Sequence, residues 1–74
     1  MNRHPVPDTD SYTLVDETNA AQGYVAFVSF APVNRHGYRG CGVFSCTPAD
    51  VRANVAAIKL GGVKVFSKFT GAEL

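Results

Sequence analysis

"YVAFVSFAPV", residues 24–33, decides the fold. In an extended chain Tyr24, Ala26, Val28 and Phe30 fall on one side, and Val25, Phe27, Ser29 and Ala31 on the other. Both sets are substantially apolar, so the stretch reads as a central strand covered on both faces. Pro32 cannot donate a ladder hydrogen bond, and regular pairing should weaken there.

Working outward, "NRHG" at 34–37 reads as a turn, with Asn34 at its start and Gly37 free to take positive φ. It returns the chain into a third strand over 38–46. "TPADVRANVAAIKLGG", 47–62, reads as a helix. Thr47 is the expected cap and Pro48 suits the first position. Asp50 sits in the first turn, where a carboxylate favours the helix dipole. Val51, Val55 and Ile58 share one face, Arg52 and Lys59 look outward, and Gly61 and Gly62 end it. "VKVFSKF", 63–69, alternates as a last strand at an edge, with lysines deterring sheet-to-sheet pairing.

On the N-terminal side, "SYTLVDET" alternates as a first strand. Tyr12, Leu14 and Asp16 oppose Thr13, Val15 and Glu17. "NAAQG" connects it to the second. Residues 1–10, with Pro5 and Pro7, read as a flexible arm ahead of one small domain over 11–74. The expectation is an α+β fold of order β-β-β-α-β: a four-stranded, mainly antiparallel sheet with one helix on one face. The crossover from the third strand can set the last strand beside the first.

A helix of about thirteen residues is roughly 20 Å long and covers one face of four strands at best. The other face needs its own cover. The expectation is a second copy of the chain or a partner protein on Tyr24, Ala26, Val28 and Phe30. The competing reading is that the N-terminal arm folds back and does this alone.

The 74 residues suit one domain, and 46% are hydrophobic, too many for a disordered chain. A core this small leans on something extra, such as association. Net charge is +1, so nothing global points to nucleic acid or an anionic membrane. Four acids crowd residues 8–17, whereas six basic residues face two acids from residue 18 onward. No signal sequence or apolar span is present, and two cysteines make no disulfide framework. A soluble, reducing, cytoplasmic setting is expected.

"HGYRGCGVFSCTPADV", 36–51, concentrates chemistry-bearing residues. On one strand Cys41 and Cys46 point opposite ways, so they do not share a metal or a disulfide unless a bulge at Gly40 or Gly42 resets the phase. No cofactor or metal is expected. Cys46, just before the helix, is the one candidate thiol nucleophile. A general base would have to reach it, yet His36 lies at the far end of the same strand, about 30 Å off at strand rise, and His4 sits on the arm. The spacing of Gly40 and Gly42 is not that of a phosphate loop.

"RGCGVFSC", 39–46, resembles the RNP1 strand of RNA-recognition motif domains, with Arg39, Gly40 and Gly42 matching. The helix and strand that follow also stand where that family has its second helix and last strand. The family's stacking rings fall at Cys41 and Val43, which carry none, and "NAAQG" is too short for its first helix. What the resemblance implies is single-stranded nucleic-acid binding through Arg35, Arg39 and an exposed trio, Lys64, Phe66 and Lys68. The preferred reading of that trio is a protected edge strand with Phe66 at an interface.

The functional expectation is a small non-enzymatic protein-binding module that self-associates, with nucleic-acid binding as the alternative. Read as a complete short reading frame without a catalytic motif, it suits an inhibitor of phage or mobile-element type, such as an anti-CRISPR protein, occluding a host partner. That expectation comes from size alone.

Overall fold

The computed structural model describes residues 6–74. Four strands, β1 (Tyr12–Asp16), β2 (Val25–Val33), β3 (Arg39–Cys46) and β4 (Lys64–Ser67), form one sheet in the order β3-β2-β1-β4. One helix, α1 (Val51–Leu60), joins β3 to β4. The first three strands form an antiparallel meander, and β4 pairs parallel with β1. This is the expected α+β arrangement, with two of three pairings antiparallel.

Alternation places Val15, Val25, Phe27 and Val65 on one face, where they form the main core. Val51, Val55 and Ile58 of α1 pack onto them, as their spacing requires. Phe27 is fully buried, and its ring stacks on Phe44 at 4.9 Å. Thr13 is buried on this face and shares a 3.2 Å hydrogen bond with the Ser29 hydroxyl, so neither polar group is stranded.

The helix is shorter than its sequence pattern suggests. Residues Pro48–Asp50 form a 3-10 turn, and α1 itself has 10 residues, about 15 Å. The Thr47 hydroxyl donates to the Asp50 carboxylate at 2.8 Å instead of accepting from a backbone N–H, which corrects its expected capping role. Gly62, at φ +88°, ends the helix in the left-handed region.

The turn at 34–37 forms as expected. The Asn34 side chain accepts from the backbone N–H of His36 at 2.8 Å and of Tyr38 at 3.1 Å. Gly37 takes φ +86°. Pairing shifts register between Phe30 and Val33, so Ala31 and Pro32 oppose the single residue Gly40. Pro32 thus sits in a bulge, where its missing N–H costs no ladder bond.

Residues 6–10 of the expected arm pack onto the sheet; residues 1–5 of it lie outside the described residues. Val6 is buried against Tyr12 and Phe66, with Leu14 and Phe30 around them. The Val33 N–H donates to the Asp8 carbonyl at 2.8 Å.

The β4 edge is not left to its lysines. The Ser67 hydroxyl accepts from the N–H groups of Phe69 and Thr70, Gly71 turns at φ +74°, and the chain doubles back. Ser67 N–H then donates to Ala72 O at 2.9 Å and Leu74 N–H to Val65 O at 2.8 Å. Phe66 bridges Glu73 across the same edge. No helix among the described residues is long and apolar enough to cross a membrane.

Candidate functional site

The sheet face opposite α1 is built as rows of directly opposed residues. Val43, Val28, Leu14 and Phe66 form one row across all four strands. Cys41, Phe30, Tyr12 and Lys64 form the next. Tyr12 stacks on Phe30 at 4.8 Å and meets Phe66 edge-on at 6.2 Å.

Cover on this face is graded. At the β1–β4 end Val6 closes over Tyr12 and Phe66, which are 2% and 8% exposed. Toward β3 the row opens: Leu14 and Val28 are half-buried, and Val43 is 67% exposed. Of the four residues expected on the contact face, Tyr24 is exposed just ahead of β2, and Ala26, Val28 and Phe30 are half-buried. Phe30 is engaged by the Tyr12 ring. Val43, which stands at a ring position of the RNA-binding strand pattern, has Val28 as its register partner; alternation along a single segment carries no signal of that pairing.

The basic residues offered for nucleic acid differ in what they engage. The Arg39 side chain is 3% exposed and turned inward. Its guanidinium lies 5.1 Å from the Tyr12 ring centre and donates to the carbonyls of Asp10, Ala31 and Pro7 at 2.6, 2.9 and 2.9 Å. Phe66 is buried, which corrects the expected exposed trio; its ring offers no stacking platform. Lys68 pairs with Asp16 at 3.1 Å. Arg35 in the turn and Lys64 remain exposed.

Asp16 accepts from both the hydroxyl and the N–H of Thr18 and from Lys68. The Thr18 hydroxyl, then its N–H, then Lys68 pull the carboxyl down to about 2. Burial pushes the Tyr12 phenol up, partly offset by Arg39.

The register between Val25–Cys46 and Phe30–Cys41 is continuous, so no bulge falls between the cysteines. Cys46 packs under α1 in the main core, and Cys41 is exposed on the opposite face. Both are free thiols. Among the described residues no three His, Cys, Asp or Glu side chains converge to hold an ion. Comparison with protein-family models, curated proteins and solved structures found no match.

Proposed function

We propose that this chain is a non-enzymatic protein-binding module whose contact surface is the β3 side of the sheet face opposite α1. The observation that carries this reading is the graded apolar row. Phe66 at its closed end is buried beneath Val6, while Val43 at its open end is 67% exposed beside half-buried Val28. An apolar strip continuous with a core yet open at one end favours another protein as its cover. Ala26 extends the strip along β2, and exposed Tyr24 stands just ahead of the strand. Occlusion of a partner's own surface is the mode of action that suits so small a chain, as in inhibitors of phage or mobile-element type. Two free thiols suit the reducing cytoplasm.

The test uses two charged variants on this face, Ala26→Arg and Val28→Asp, and Arg52→Glu on the exposed side of α1 as control. Each is first shown to be folded by circular dichroism. The immobilised chain is then offered the host lysate. A protein retained by wild type and Arg52→Glu but lost by both face variants supports the reading. Retention by the face variants, or nothing retained by wild type, overturns it.

A further inference from the structure

The two edges of the sheet are finished differently. The β4 edge is closed by residues 72–74 of the same chain. β3 pairs with β2 alone, so among the described residues its outer edge has no strand beside it. That edge is eight residues long, about 27 Å. From Gly40 to Cys46 it carries no charge and no proline. The one charge on the strand, Arg39, is folded inward. Proteins ordinarily guard an open edge with lysine, proline, a short strand or a covering segment. The bulge lies at the Gly40 end, and the rest of β3 has none of these.

We propose that β3 pairs antiparallel with β3 of a second copy, about a two-fold axis through Val43, giving one continuous eight-stranded sheet. A two-fold normal to the sheet maps each face onto itself, so opposed residues must have the same parity. Centred on Val43, the register sets Val43 against the partner's Val43, Cys41 against the partner's Ser45, and Phe44 against the partner's Gly42. No match sets like charges opposite one another, and two of them add contact. The row Phe66–Leu14–Val28–Val43 continues into its own copy, so eight apolar side chains run unbroken across the dimer. On the helix face Phe44 is 41% exposed, and the space above Gly42 is open, with nothing within 4 Å of an added Cβ. An aromatic ring crossing onto a bare glycine covers backbone that the glycine leaves exposed. Centring on Gly42 instead sets Val43 against the partner's Cys41 and breaks the row. The edge pairing stands on the open strand and not on partner binding by the face, so each can fail without the other.

Because Val43 meets itself at the axis, one position tests both the edge and the register. Light scattering should give wild type about twice the 7.9 kDa of one chain. Val43→Lys alone and Val43→Glu alone, each folded by circular dichroism, place like charges opposite one another. Each should weaken the dimer roughly a hundredfold or more and run as a monomer. An equimolar mixture of the two should recover the dimer at low salt and lose it at high salt. A wild type of single-chain mass at high micromolar concentration overturns the proposal. So does a dimer that survives Val43→Lys, or a mixture that fails to recover. A monomeric wild type that still retains a lysate protein through Val28 overturns the edge pairing alone.

Discussion

The guanidinium of Arg39 reaches four backbone carbonyls in two segments of the chain. Besides the carbonyls of Pro7, Asp10 and Ala31 it approaches that of Val6 at 3.4 Å. It thereby fastens residues 6–10 to the β2–β3 hairpin, with its carbon over the Tyr12 ring. Arg39→Ala should cost about 2–3 kcal/mol in urea unfolding, since several charge-assisted bonds and a ring contact go together. Arg39→Lys should recover less than half, because one ammonium cannot span a fork of acceptors. Asp8 is 78% exposed and 3.9 Å away, so Asp8→Asn should change stability by no more than about 0.5 kcal/mol. Asp16 should contribute to the acid limb of the stability curve. Its folded carboxyl is held at about 2, below its unfolded value. Its contribution is therefore complete above the usual carboxylate range and lost as pH falls from about 4 to about 2. Asp16→Asn should flatten unfolding-midpoint curves over that window. An unchanged slope would show that another carboxyl sets it.

At the scale of elements, strands and helix each have a local reason to form, and the weak points are where they end. Gly62 leaves α1 at φ +88° with open space around it, so Gly62→Ala adds backbone strain without a clash. The expected cost is about 1 kcal/mol by thermal melting. Phe27 is a different case: fully buried and stacked on Phe44. Phe27→Ala should cost about 3–5 kcal/mol, comparable with the whole stability of a chain this short, and should abolish the cooperative melt. Most elements were legible in the residues. Alternation in 12–16, 25–33 and 64–67 and the 51, 55, 58 spacing are one-dimensional patterns imposed by the pleat and the helical turn. The tail was not legible. "GAEL" has no strand pattern, and its pairing to β4 depends on Ser67 and Gly71 turning the chain back.

At the scale of the molecule, among the described residues the sheet has one edge closed from within and one open. Removing Ala72, Glu73 and Leu74 should open the second edge. The expected result is a lower melting temperature and concentration-dependent association beyond a dimer, visible in sedimentation velocity. A truncated chain no larger than wild type would show that the tail does not guard β4. The candidate face was half legible. Ala26, Val28 and Phe30 share a side by alternation alone, whatever else the chain does. That Val6 would cover Phe66, and so remove it from the surface, depended on where the N-terminal segment docks.

Local pattern in the sequence determined the elements, their order, the apolar stripe of α1 and the opposed cysteines, because side-chain periodicity follows from backbone geometry. Only the tertiary structure decided which residue of β3 joins Val28. Counted from Val33–Arg39 without a break, Val28 would face Phe44; the bulge at Ala31–Pro32 shifts the register by one and brings Val43 there instead. One residue of register exchanges the two faces of a strand. The composition of the open face and its edge is therefore set by a pairing that no single segment contains.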